Sequence, residues 1–159
     1  MTDPQVRLRR ADAETVSSVV ALLEANGLPS GDVRSKADCF YLASLENGDP
    51  GPDPVGVGGI EPEGRHGLLR SVVVRESARG RGIGTALCDA LEARASAEGV
   101  ETLFLLTTTA ADFFAGRGYE RVERSAIPAG IRATSQFEDL CPATATCLRT
   151  SLSRRNDRE

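Results

Sequence analysis

The sequence predicts an α/β (α+β) domain of about seven strands with helices among them. Three observations carry that expectation. Runs of apolar and β-branched residues at 55–60, 68–74 and 102–107 have strand length. Between and before them lie segments whose apolar residues recur at helical spacing and stop at glycine. The order β, α, (α), β, β, β, α, β, α, β, β mixes the two element types along one chain. With 159 residues, one domain is expected at 1–152, followed by a polar tail at 153–159.

Residues 5–10 alternate apolar and basic side chains, as a short strand does. A helix over 12–26 follows from Asp12 as N-cap, Glu14 in the first turn, and Val16, Val19, Val20 and Leu23 on one face. Gly27 and Pro29 end it. A short second helix is expected around 32–36, then a strand at 39–45. The run Asn-Gly-Asp-Pro-Gly-Pro-Asp-Pro at 47–54 reads as a solvated hairpin connection. Strand 55–60 has alternating glycines that admit a close backbone or ligand. Residues 61–67 read as a turn, with His66 a surface residue there rather than a catalytic base.

Residues 68–74 form the central strand, buried on both faces through Val72, Val73 and Val74. After a glycine-rich turn, Ile83, Leu87, Ala90, Leu91 and Ala95 trace one face of a helix that ends at Gly99. A buried strand at 102–107, a short helix at 110–117 stopped by Gly118, and strands at 119–122 and 144–152 complete the order.

Bulk properties narrow the function. A net charge of −4 and a pI near 5.2 argue against a nucleic-acid partner, whose binder would be basic. No apolar run reaches membrane-span length, and the N-terminus lacks the apolar core of a signal peptide. A cytoplasmic protein with no membrane partner is expected, its four cysteines reduced. Their spacing makes no zinc site, and no metal is expected.

The chemistry concentrates in Arg79-Gly80-Arg81-Gly82-Ile83-Gly84-Thr85. A strand that breaks into alternating glycines and then a helix suits phosphate. The first helical turn has backbone N–H groups without internal acceptors, at the positive end of the macrodipole. Glycines remove the Cβ atoms that would hold an anion away. The turn lies too deep in the chain for a dinucleotide fold and lacks the Gly-Lys-Ser/Thr ending of a nucleoside-triphosphate loop.

With Arg79, Gly82 and Gly84 in the fixed places, the stretch resembles the Arg-x-x-Gly-x-Gly signature of the GNAT N-acetyltransferases. The resemblance implies the GNAT fold, a mixed central sheet of about seven strands flanked by helices, and acetyl-CoA as acetyl donor. It also implies that the amides of 79–85 hold the pyrophosphate of coenzyme A. The backbone of Val72, Val73 and Val74 would pair with the pantetheine arm, and the Val74 amide would lie near the acetyl oxygen, where an N–H stabilises developing negative charge. Phe113-Phe114 and Gly118-Tyr119 resemble the family's second cofactor motif. A tyrosine that can protonate the departing thiolate often stands where this chain has Phe114. The catalytic residues are therefore left unassigned. Proteins of the family often dimerise through their last strands, so a homodimer is compatible with the resemblance.

Arg70-Ser71, the stretch 107–114, and the closing segments Ile131-Arg132-Ala133-Thr134-Ser135-Gln136-Phe137, Leu140-Cys141-Pro142 and Ala145-Thr146-Cys147 resemble the GNAT acetyltransferases of arsenic-resistance operons. That resemblance implies a small amine acceptor of amino-acid-like type, with Arg70, Ser71, Thr107 and Arg132 as its contacts. Arg70 reads equally as an anion site and as the partner of Glu61. Glutamate or another ordinary amino acid would suit the same arginines. A non-catalytic acetyl-CoA-binding or arsenic-responsive module is the reading from another class. Cys141 reads as a structural residue rather than a nucleophile or an arsenic-binding thiol: no histidine lies near it in sequence, and arsenic binding would need Cys147, six residues on around Pro142, to converge with it.

Overall fold

A computed structural model describes residues 5–28, 30–31, 33–46, 54–80, 82–107, 110–132 and 145–152. The strands are β1 (Val6–Arg10), β2 (Phe40–Leu45), β3 (Gly56–Glu63), β4 (His66–Val74), β5 (Thr102–Thr107), β6 (Glu120–Val122) and β7 (Thr146–Ser151). The helices are α1 (Val16–Ala25), α2 (Ile83–Ala97), α3 (Ala111–Gly116) and α4 (Ala129–Arg132). The strands form one mixed seven-stranded sheet in the order β1-β2-β3-β4-β5-β7-β6. The chain groups into two compact units, Met1–Ile60 with Ser71–Arg94, and Glu61–Arg70 with Ala95–Glu159.

In the first unit β1 and β2 pair antiparallel with Arg10 opposite Tyr41, and β2 pairs antiparallel with β3. Alternation along the strands sends Phe40, Leu42, Val57 and Val73 into one core with Val16, Val19 and Leu23 of α1. The opposite face is built for α2. A Cβ on Gly58 would lie 2.5 Å from Leu91 Cδ1, and one on Gly56 would lie 2.7 Å from the Val73 carbonyl oxygen and 3.0 Å from Leu87 Cδ2. The alternating glycines of β3 therefore serve helix packing: they let α2 sit directly on the sheet. α1 begins at Val16 with Thr15 as its N-cap, later than the start expected at Asp12, and Asp12 instead fixes the turn that leads into it. Its carboxylate accepts from the Glu14 and Thr15 amides at 2.9 Å each, while Thr15 Oγ1 accepts from the Asp12 amide at 2.9 Å, a reciprocal pair that holds this turn.

In the second unit β4 pairs parallel with β5, His66 opposite Thr102 and Leu68 opposite Phe104. β7 pairs antiparallel with both β5 and β6. Leu68, Phe104, Leu106, Ile127, Ile131 and Cys147 make its core.

Several boundaries differ from expectation. β3 runs on to Glu63, and His66 opens β4 instead of lying in a turn; the turn is confined to Gly64 and Arg65, with Gly64 at φ +65°. His66 is half-buried, its ring edge-on to Phe104 at 5.7 Å. The stretch expected as a second helix is a 3-10 segment, Arg34–Cys39, so β2 begins one residue later than anticipated. A 3-10 turn at Arg124–Ala126 and the single turn α4 were not anticipated at all. Most of the connection expected at 47–54, and Cys141, lie outside the described residues.

Candidate functional site

β4 ends at Val74, and a 3-10 turn over Glu76–Ala78 leads to Arg79. Gly80 and Gly82 follow with φ of +81° and +77°, a left-handed backbone that glycine adopts without steric cost. The Ala86 amide donates to the Gly82 carbonyl at 3.2 Å, which makes Gly82 the residue that opens α2. The amides of Ile83, Gly84 and Thr85 form the first turn, for which the helix supplies no acceptor. They lie at the positive end of a 15-residue helix. Beyond its chain neighbours, a Cβ built on Gly80 meets nothing within 4 Å, and one on Gly84 meets only Val74 Cγ2 at 3.7 Å. The turn thus keeps room at its glycines for a ligand's oxygens, and its donor set fits a phosphate or pyrophosphate.

Arg79 folds back on the framework that carries the turn. Its Nε donates to the Val74 carbonyl at 3.1 Å, and a terminal guanidinium nitrogen donates to Asn26 Oδ1, just past α1. Asn26 was invisible to sequence reasoning, because no periodicity marks a polar residue at a helix end 53 positions away. Arg81 lies outside the described residues.

Upstream, Val73 is buried in the α1 core, while Val72 and Val74 are half-buried on the other side of the strand. Ser71 has φ +56°, alone among the described non-glycine residues in having a positive value. An L-residue there costs about 1–2 kcal/mol, and such a kink re-aims the backbone of the strand that follows.

The remaining candidates lie in the second unit. Arg70 is buried, and its guanidinium donates to Glu61 Oε2 at 2.9 Å; the ion pair, one of the two readings of this residue, is present. Thr107 Oγ1 accepts from the Ala110 amide at 2.9 Å and so shapes the step from β5 into α3. Phe114 is buried between Phe113 and Tyr119, edge-on to both with centroids at 5.1 and 5.3 Å, which makes Tyr119 a packing residue. Arg132 is the last residue of α4; most of the closing motifs, from Ala133 through Pro142, lie outside the described residues. Cys88 and Cys147 are buried, as small core residues are.

Among the described residues no group of three His, Cys, Asp or Glu side chains could hold a metal ion. No described helix is long and apolar enough to cross a membrane.

The strand, the two positive-φ glycines and the long helix lie inside residues 12–122, which match the model of the acetyltransferase (GNAT) family. The chain belongs to the GNAT acetyltransferase family. Among solved structures, this GNAT protein is similar to N-acetylglutamate synthase from Neisseria gonorrhoeae, complexed with coenzyme A and N-acetyl-glutamate, at 20% identity and a TM-score of 0.76. That match covers 95% of this chain but spans only 36% of the synthase. Rv2747 from Mycobacterium tuberculosis, solved in complex with CoA, matches at 22% identity and a TM-score of 0.74, covering 91% of this chain and 98% of that one. A GNAT acetyltransferase from Staphylococcus aureus matches at 15% identity and a TM-score of 0.69, covering 92% and 99%. At these identities the likeness is one of fold.

Proposed function

We propose that this protein is an acetyl-CoA-dependent N-acetyltransferase acting on the amine of a small, amino-acid-like molecule. The observation that carries the reading is the turn from β4 into α2. Gly80 and Gly82 hold left-handed backbone, and the first-turn amides of a 15-residue helix follow directly. In this reading the amides of Arg79 to Thr85 hold the pyrophosphate, Val72 to Val74 offer backbone groups to the pantetheine arm, and Phe114 lies against the cofactor. Acetyl-CoA supplies an activated acetyl group. The acceptor amine must lose a proton before it attacks, because amines are mostly protonated near neutral pH.

Ser71, Thr107, Arg70 and Arg132 are the acceptor-side residues of this proposal. Arg70 acts with Glu61 already bound to it, so an anionic acceptor group would compete with a carboxylate in place. That weakens a bare-arginine anchor and leaves Arg132 as the second cationic candidate. The acceptor class includes the amino-acid-like arsenicals and phosphinic acids suggested by the resemblance to arsenic-operon enzymes. The similarity to N-acetylglutamate synthase favours a second reading, acetylation of glutamate or another ordinary amino acid.

Free-thiol release from acetyl-CoA tests the proposal, with a panel of amino acids, phosphinothricin-like acids and trivalent amino-acid or aminoaryl arsenicals. Turnover on a carboxylated amine is the expected result. A preference for glutamate would select the second reading. Tight cofactor binding with no turnover on any amine would favour a non-catalytic acetyl-CoA-binding module instead.

A further inference from the structure

We infer that Asn26, at the C-terminal end of α1, is a positioning residue for the cofactor turn and acts through Arg79. The inference rests on the acetyl-CoA reading of that turn. Asn26 is half-buried and uses both ends of its side-chain amide: Nδ2 donates to the Leu22 carbonyl at 2.8 Å, and Oδ1 accepts from the Arg79 guanidinium. The Asn26 backbone amide donates to the Leu23 carbonyl at 3.1 Å, so the residue is fixed at both main chain and side chain. Arg79 Nε meanwhile donates to the Val74 carbonyl, the last residue of β4. One guanidinium therefore ties together the end of β4, the end of α1 and the start of the glycine turn. Its charge also lies beside the carbonyl end of α1, where a cation is favoured.

The glycines that follow have no side chains to anchor them. Gly80 and Gly82 gain their anion-accepting conformation at the cost of backbone freedom. A turn that must hold several N–H groups in register needs an external brace, and the Asn26–Arg79 contact supplies it from an element remote in sequence. Two of the five donors of Arg79 are committed to protein acceptors, and through them the side chain holds the turn's backbone.

The test uses the full chain with Asn26→Leu, Asn26→Asp, Arg79→Met and the Asn26→Leu/Arg79→Met double variant. Coenzyme A affinity is read by calorimetric titration, KM and kcat by thiol release, and amide exchange at 80–84 without ligand. Asn26→Leu should weaken coenzyme A binding roughly tenfold, from the loss of a hydrogen bond to a charged group, raising KM for acetyl-CoA while kcat holds. Asn26→Asp keeps an acceptor for Arg79 but loses the bond to Leu22, so it should bind close to wild type. The double variant should be no worse than Arg79→Met alone, and exchange at 80–84 should quicken in Asn26→Leu and Arg79→Met but not in Asn26→Asp. Equal losses in Asn26→Asp and Asn26→Leu would show a helix cap without a positioning role and overturn the inference. Additive losses, or unchanged exchange in Asn26→Leu, would overturn it too. A wild-type protein that takes up no coenzyme A would instead overturn the cofactor reading, while the exchange comparison still decides whether the brace exists.

Discussion

Replacing Glu61 with alanine should destabilise the protein far more than removal of a surface carboxylate. The Arg70 and Glu61 side chains are 1% and 8% exposed, with Nη1 and Oε2 2.9 Å apart. Truncation leaves a buried guanidinium whose charge cannot be titrated away. Breaking such a pair from one side costs about 3–5 kcal/mol. At about 2 kcal/mol per molar urea, the unfolding midpoint should fall by about 2 M. The chain has no tryptophan, so far-ultraviolet circular dichroism is the practical probe. Replacing both partners by apolar residues of similar size, Glu61→Leu with Arg70→Met, should restore stability to near wild type, because neither charge is then stranded. A loss below about 1 kcal/mol in Glu61→Ala, the range of exposed pairs, would refute the reasoning. So would a double variant weaker than the single. The double variant also isolates the acceptor question. If it folds like wild type but turns over no carboxylated amine, the Arg70 guanidinium serves the acceptor as well as Glu61.

Two further predictions concern the first unit. Gly56→Ala should cost more than Gly58→Ala, within the roughly 1–3 kcal/mol typical of overpacking. The new methyl at 56 meets the Val73 backbone carbonyl at 2.7 Å, which cannot step aside, whereas at 58 it meets the end of the Leu91 side chain, which can shift by rotamer change. Urea unfolding measures both, and a reversed order would contradict the account of how α2 seats on β3. The Asp12 carboxyl is held below its ordinary value of 3.8, chiefly by the Thr15 amide, then by the Thr15 hydroxyl and the Glu14 amide. A depressed carboxyl contributes stability that is complete above the unfolded value and lost as pH falls through the folded one. Wild type should therefore exceed Asp12→Ala in thermal stability at neutral pH, with the gap closing below 3.8. A gap independent of pH would show that the turn does not depend on the charge.

The glycine turn before α2 was legible in the sequence because left-handed backbone favours glycine, and Gly80 and Gly82 have it. Helix α1 was legible through its apolar spacing, α2 through Ile83, Leu87 and Leu91. The extension of β3 was hidden. Glu61, Pro62 and Glu63 read as part of a polar turn, yet Glu61 is buried in the strand with Arg70 paired to it, and hydrophobic periodicity cannot register an inward-facing charge pair. The same blindness kept Arg70 open between two roles. Sheet order was equally out of reach of local pattern: β7 lies between β5 and β6, a placement that no periodicity along the chain encodes. Asn26 left no trace, since its partner Arg79 lies in another segment of the chain.

The most direct test of the central claim is calorimetric titration of coenzyme A into the wild-type chain and into Gly82→Asp. The substitution adds a side chain where φ is +77° and a negative charge at the head of α2. Wild type should bind, and Gly82→Asp should show no binding with its thermal transition largely kept. Equal binding by both, or none by wild type, would contradict the assignment of this turn to the cofactor.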